Sequence, residues 1–524
     1  MSILNSFKRR KIGQWSLAYI TAAWVAVQLV DVLGGRWGIT EGIARGFDLI
    51  LITGFFLVLI VAWYHGDKGH QKVGGTELLL IALTLVAGSV GLFFEMRKAD
   101  ESMRPERTAL SAESPSRHTE GAPWMAVLPF EAHGNSDDLK SFATNLAASI
   151  NSGLSSFSHL LVLSRSVVEN AAESLRDPRE IGASVGARYL MEGDVRSIDD
   201  QLRLTVQLTD STDGKTVWST KSDFKLSDAA SLQFQDAIAE RIVATVGDSS
   251  GVVTRELANS IIPKSPESMT SYEAVLQWTV NRQVGGPEVH LRARTALERA
   301  VELEPEDAVA WACLAHVYTE EFMSNYNPLP NPLERGLVAA RRAVALDRTD
   351  SLAHYSLAIN RYFAKNIEAF RAAADRSIEL NPNDASAVAM LGMLTSFSGD
   401  WDAGMEITKR AMQINPDHPG YYRFGIFYDQ YRKGNGAEAL DIALQINMPG
   451  YYVDALVRVL AYVQIGDFEA ATKAAEELQA LFPNFEADFG RLGVTNWFFA
   501  QPELIDEIAN DLLKVGLSTD WTIY

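Results

Sequence analysis

Cysteine is nearly absent. Cys313 stands alone in 524 residues, which excludes an intrachain disulfide and any cysteine-rich zinc or iron–sulfur site. Basic charge is scarce as well, with 47 Lys/Arg against 66 Asp/Glu. The first 95 residues hold eight Lys/Arg and six Asp/Glu, so residues 96–524 carry a net −21. Attraction to phosphate supplies most non-specific nucleic-acid binding, and a surface this acidic argues against a nucleic-acid partner. The nine histidines are scattered. His65, His70, His118 and His133 fall in loops or a tether, and His316, His354 and His418 are too far apart for one helical face, so no metal site is expected. The chain also lacks a G-x-x-x-x-G-K-[ST] loop, an H-E-x-x-H pair and a G-x-S-x-G elbow. Asp137-Asp138, Asp199-Asp200 and the acids of 302–307 read as turn, cap and solvated-face groups, because a general acid needs burial to move its pKa. The expectation is a protein without cofactor that is not an enzyme.

Long apolar runs are present, and they are unevenly placed. Residues 1–95 read as a membrane anchor with three spans, about 14–34, 49–64 and 78–94, each near the length that crosses a hydrocarbon core. The basic cluster Lys8, Arg9, Arg10 and Lys11 should stay cytoplasmic, which puts everything beyond a third crossing on the periplasmic side of a bacterial inner membrane. Asp31 and Asp48 lie in or beside these runs, near one boundary where a carboxylate reaches water. Residues 96–122 are rich in Ser, Glu, Arg and Pro and read as a flexible linker.

A mixed α/β domain is expected over 123–257. MAVLPF at 125–130 reads as a buried strand, and Leu139, Phe142, Leu146 and Ile150 share one helical face. Further strands are expected at 160–164 and 189–195, with a helix at 180–185 after Asp177-Pro178. Leu202, Leu204, Val206 and Leu208 alternate, Asp213-Gly214 turns the chain, and 215–219 returns as the second arm of a hairpin. An amphipathic helix at 232–246 closes the layer. The loop 131–138 follows a strand end, where α/β sheets often bind ligands.

Beyond residue 268 a period near 34 emerges when helix-ending positions are aligned. Pro305, Arg348, Pro382, Pro416, Pro449 and Pro483 are separated by 43, 34, 34, 33 and 34 residues. That period is the mark of the tetratricopeptide repeat, and predicts five to six helix pairs over 268–484 as an all-α solenoid. Trp311, Leu314, Ala315 and Tyr318 fill one unit's signature positions; Leu391, Gly392 and Ala411, then Tyr462 and Ala471, fill slots in others. The long interval is expected to hold a loop at 323–332. Counting first-helix positions onto the concave groove nominates Tyr355, Tyr362, Phe363, Phe397 and Tyr422, with Asp429 and Gln430 beside them, as contacts for a protein or peptide partner. For the aromatics, packing between repeats is the competing reading. Residues 485–524 are expected to cap the array, with a helix at 504–515 stopped by Gly516.

AVLPF at 126–130, IGASVGARYLMEGDVR at 181–196 and LRLTVQLTDSTDGKTVWS at 202–219 resemble the TolB-like amino-terminal domain found ahead of tetratricopeptide arrays in bacterial membrane proteins. KRRKIGQWSLAYITAAWVAVQLVD and AWYHGDKG are similar to the membrane module that precedes it. Many such relatives carry an upstream effector domain and are labelled adenylate cyclase; here about a dozen residues precede the first expected span, so no such domain is expected. The apolar spans, the repeat groove and the lack of catalytic motifs together point to a membrane-anchored, non-catalytic scaffold or sensor that binds a protein partner through the groove and the bilayer through the spans. The alternatives are a nucleotide cyclase-like signalling enzyme and an accessory subunit of a larger inner-membrane complex. Oligomeric state is not legible.

Overall fold

The computed structural model describes residues 122–518 apart from 135, 250 and 489–498, together with seven isolated positions between Ser16 and Leu59. Among the described residues no helix is long and apolar enough to cross a membrane. The three expected spans lie outside them, except for those seven positions in the first two. There the Tyr19 hydroxyl donates to the Leu51 carbonyl at 2.8 Å, and the Tyr19 and Phe55 rings lie 6.0 Å apart.

The chain from residue 122 begins as a mixed α/β layer. Strands β1 (Trp124–Val127), β2 (Glu131–His133), β3 (Leu161–Val162), β4 (Ala187–Ile198), β5 (Gln201–Asp210) and β6 (Lys215–Lys225) form one sheet ordered β3-β1-β4-β5-β6, with β2 also on β4. β1, β2 and β3 run parallel in their pairings, and β4–β5–β6 form an antiparallel meander. The alternation expected in β5 is real: Leu202, Leu204, Val206 and Leu208 are all at most 1% exposed, facing the core. Helices α1 (Asp137–Ser155) and α4 (Leu232–Gly247) cover that face. Helices α2 (Arg165–Ser174) and α3 (Pro178–Val185) cover the other, closing a smaller cluster with Ala126, Leu128, Ala187 and Leu190. Asp177 caps α3 through the Arg179 N–H and Pro178 holds its first turn, as the Asp-Pro pair suggested.

The rest is all-α and built of hairpins. After α5 (Val252–Ile261) come six pairs: α6/α7 (Ser271–Val284, Pro287–Leu303), α8/α9 (Ala308–Ser324, Pro332–Leu346), α10/α11 (Ser351–Phe363, Ile367–Leu380), α12/α13 (Ala385–Phe397, Trp401–Ile414), α14/α15 (Phe424–Arg432, Gly436–Ile446) and α16/α17 (Tyr452–Ile465, Phe468–Leu481). A last helix, α18, runs Pro502–Leu513, two residues ahead of the expected span at each end. Asp307, Asp350, Asp384, Asp400 and Asp467 cap five of these helices by accepting from backbone N–H groups of the first turn. Close crossing of α12 and α13 depends on missing side chains: a Cβ on Gly404 would lie 2.4 Å from the Ser396 nitrogen and 2.5 Å from the Gly392 carbonyl. The long interval in the period is a loop, residues 325–331, pinned from below by Glu321, whose carboxylate has 0% exposure. Glu321 accepts from Arg294 at 3.0 Å, Arg335 at 2.6 Å and the Leu329 N–H at 2.5 Å.

The α/β layer and the hairpins belong to one compact unit, Glu113–Tyr524. α4 lies across α12 and α13: Ala244 packs with Ala385, Val388, Ala389, Ala411 and Tyr422. Arg410 reaches Glu240 at 2.6 Å, and Ser156 donates to Asn381 at 3.0 Å. Asp248, 1% exposed and just past α4, accepts from the Ser386 N–H at 2.9 Å and its hydroxyl at 2.7 Å. A carboxylate of the first layer thus sits on the N-terminus of α12, beside that helix's own cap, Asp384. Burial first, and the charge of Asp248 second, raise the pKa of Asp384.

Candidate binding site

The aromatic residues nominated for the groove do not form an open surface. Tyr355 and Tyr422 are 1% exposed, Tyr362 and Phe363 2%, and Phe397 3%. They pack within hairpins and between them: Tyr362 meets Phe370 of its own pair at 5.2 Å, and Phe397 meets Tyr428 of the next pair at 5.6 Å and Phe499 at 4.6 Å between ring centroids. Asp429, also buried, is held by Arg432 and Lys433, both at 2.6 Å. Gln430 is half-buried and accepts from Asn435 at 2.8 Å. The reason is geometric: a ring on the first helix of a pair that points inward also points toward the next pair, and a large ring is swallowed by that neighbour.

What the inner face leaves accessible is a different set. Arg282 at the end of α6, Glu320 on α8, Tyr326 just past α8, Tyr421 in the 3₁₀ turn before α14 and Tyr451 just before α16 all keep solvent contact. They converge. Glu320 lies within Coulombic reach of Tyr326, Tyr355 and Tyr451, and Arg282 within reach of Tyr355, Tyr421, Asp384 and Asp248. Tyr451 is 43% exposed, yet surrounding protein mass pushes its phenol up to about 12. Both facts fit a residue on the wall of a recess, wetted on one side and crowded on the others. Arg282 stands over the rings of Trp278 at 5.1 Å and Tyr355 at 5.6 Å, and the His316 ring stacks on Tyr355 at 5.7 Å.

The acid in this recess is tuned by its surroundings. Burial pushes the Glu320 carboxyl up to about 7, against a donated bond from the Asn281 amide and the charge of Arg282. His316 is held neutral, its pKa lowered to about 3 by burial and then by Arg282. Counting repeat positions misses Glu320, Tyr421 and Tyr451. The signal that could have found two of them is the doubled tyrosine, Tyr421-Tyr422 and Tyr451-Tyr452, placed just ahead of a first helix: in each pair one ring packs deeper and its neighbour stays more open.

A second concavity lies on the sheet. The face of β4–β5–β6 that α2 and α3 leave bare borders a cleft of about 880 Å³ at the end of β1. The stretch expected as a loop there is partly strand, since β2 pairs with β4 through Glu131, Ala132 and His133. Its floor is tight: a Cβ on Gly193 would lie 2.3 Å from the Phe130 ring. Its charges are largely spent on one another. Arg196 pairs with Asp194 at 2.8 Å, Arg203 with Asp223 at 2.7 Å, and Glu192 accepts from Gln207 at 2.9 Å and Thr209 at 3.1 Å. Such a face reads as a solvated side of an antiparallel sheet. Among the described residues no three His, Cys, Asp or Glu side chains are grouped to hold a metal ion.

Comparison with known proteins bears on the α/β layer first. Residues 121–241 match the family described as HilA/YgeH-like transcriptional regulator, second domain. The chain is 27% identical over 256 residues to the Rhizobium meliloti (strain 1021) protein named "Putative adenylate cyclase 3", covering 47% of this chain and 42% of that one. It therefore spans less than half of that relative. Among solved structures, TolB from Acinetobacter baumannii is similar over 24% of this chain and 27% of its own, at 14% identity and a TM-score of 0.18. That overlap is slight, and the description of the fold rests on the sheet order and the helix pairs themselves.

Proposed function

We propose that this chain is a non-catalytic sensor or scaffold that engages a protein partner in the recess on the inner face of its helix pairs. The observation that carries the reading is proximity: Arg282 of α6 and Glu320 of α8 keep solvent contact, with Tyr421 in electrostatic reach of Arg282 and Tyr326 and Tyr451 in reach of Glu320. Nearby groups of comparable size are buried. Stacked helix pairs hold such a surface rigidly, which lowers the ordering cost of binding. The α/β layer, clasped on α12 and α13, fixes one side of that surface. We further propose that the apolar segments of residues 1–95 anchor the chain in a bacterial inner membrane with the hairpins on the periplasmic side, a reading supported by their hydropathy and by the basic cluster at 8–11. Anchoring would raise the local concentration of the recess for a membrane-proximal partner.

The test is photo-crosslinking in cells from single sites. A crosslinker at Tyr451 should give a discrete protein adduct, and one at Val338, exposed on α9, should not. No adduct from Tyr451, or the same adducts from both positions, would sink the reading. The name of the Rhizobium relative favours a nucleotide cyclase as the rival. Turnover of ATP to a cyclic nucleotide by the purified chain would favour that rival.

A further inference from the structure

The chain's own carboxyl end lies across the first helices of the last three pairs. The Ala500 N–H donates at 2.8 Å to the Phe397 carbonyl, one of the last carbonyls of α12, which have no partner within the helix. Phe499, 3% exposed, sets its ring against Phe397 at 4.6 Å and Tyr428 of α14 at 4.8 Å. Gln501 accepts from the Trp401 indole, at the start of α13, at 3.0 Å. The Tyr431 hydroxyl near the end of α14 donates to Asp511 at 2.7 Å, α18 packs on α16, and the Ser518 N–H reaches Glu486, past the end of α17, at 3.2 Å. Leu504, Ile505, Ile508, Ala509 and Leu512 share one face of α18, all at most 5% exposed. A further hairpin would stack on the final pair alone. A segment that touches α12, α14 and α16 in turn is seated as a ligand is, across successive repeats.

Charge does little to hold this segment. Residues 499–518 carry Glu503, Asp506, Glu507 and Asp511 against Lys514 alone. Among the described residues the only ion pair these acids make is Asp511 with Lys514 of the same helix, at 2.7 Å. Arg432 and Lys433, the cations next to Tyr431, are both paired with Asp429. Burial first, and the charge of Asp511 second, raise the pKa of Glu507. Apolar contact and a few hydrogen bonds therefore keep the segment in place. We propose that this strip is a helix-docking site that the chain fills in cis, and that an amphipathic helix of a partner protein, with an aromatic residue ahead of apolar positions i, i+1, i+4, i+5 and i+8, takes it by displacing residues 499–518. The resident segment defines the chemistry of the occupant, since its ring, its amide and its apolar face each meet a receiving group. It also sets a threshold, because a competing helix binds with its intrinsic affinity reduced by the fraction of chains whose site is open. The strip is separate from the groups around Arg282 and Glu320. Gln464 marks it on α16 by donating to the Tyr431 carbonyl at 2.7 Å, and Tyr451 stands at the opposite end of that helix, about 20 Å along its axis.

The experiment uses the purified full-length chain and a fluorescein-labelled peptide of residues 499–518, read by anisotropy. Phe499→Ala combined with Gln501→Ala in the chain loosens the resident segment and leaves the strip itself unchanged. The wild-type peptide should bind that variant about tenfold or more tighter than it binds the wild-type chain, as the open fraction rises. A peptide carrying Leu504→Ser, Ile508→Ser and Leu512→Ser should bind neither. Hydrogen exchange gives a second reading that needs no variant: with an isotope-labelled wild-type chain and enough unlabelled peptide to saturate the anisotropy, the α18 amides of the chain should exchange faster while those of α16 stay protected. Equal peptide affinity for variant and wild type, equal binding of the serine-substituted peptide, or α18 amides that keep their protection at saturating peptide would each overturn the proposal. Crosslinking at Tyr451 in cells reads the other end of α16, so the binding reading above and this one stand or fall separately.

Discussion

Replacing Asp248 by alanine should loosen the α/β layer from the helix pairs. The carboxylate accepts two bonds from Ser386, at 2.9 Å from the N–H and 2.7 Å from the hydroxyl, in a site 1% exposed. Hydrogen bonds to a charged group are worth about 1.5–3 kcal/mol each. Removing Asp248 also relieves its repulsion of Asp384, which burial and that charge together hold partly protonated. The net loss should be about 2–4 kcal/mol. Hydrogen exchange reads this locally: the Ser386 amide should exchange roughly 30- to 1,000-fold faster in the variant if it opens with the junction. Asp248→Asn keeps one acceptor and should lose roughly half as much. A Ser386 amide that exchanges as in wild type, with global stability within about 0.5 kcal/mol, would refute the assignment of this contact as a clasp.

Other substitutions probe other parts of the same account. Glu321→Ala strands Arg294 and Arg335 without their shared carboxylate and should destabilise by about 3–5 kcal/mol, read by urea denaturation, with the 325–331 loop becoming protease-sensitive. Gly404→Ala forces backbone apart where α12 meets α13 and should cost about 1–3 kcal/mol, seen as a lower midpoint in denaturant. Glu320 has a folded pKa near 7, above its ordinary 4.5. Its contribution to stability is therefore complete below the unfolded value and is lost as pH rises through the folded one. Melting temperatures measured from pH 5 to 8 should show Glu320→Gln gaining on wild type as the pH increases; parallel curves would contradict the burial of that carboxyl.

Much of the architecture was legible in the sequence because its signals are local. Asp213-Gly214 between two alternating arms gives the β5–β6 hairpin, with Gly214 at φ 77°, and the 34-residue spacing gives the helix pairs. Elements with weak patterns of their own were not legible. β2 is three residues with one intermediate and two exposed positions, and it exists because β4 extends far enough to pair with it. α2 buries Val168 alone, too little for a helical period to stand out. The site was harder still. Tyr355 and Tyr451 look alike in sequence, and only the way successive pairs close on one another buries the first and leaves the second at the rim.

Hydroxyl-radical footprinting of the chain in intact cells, compared with the purified chain, tests the binding role most directly. Tyr421 and Tyr451 should be protected in cells and reactive when purified, with Val338 equally reactive in both. Equal labelling of the two tyrosines in both settings would contradict a partner in the recess.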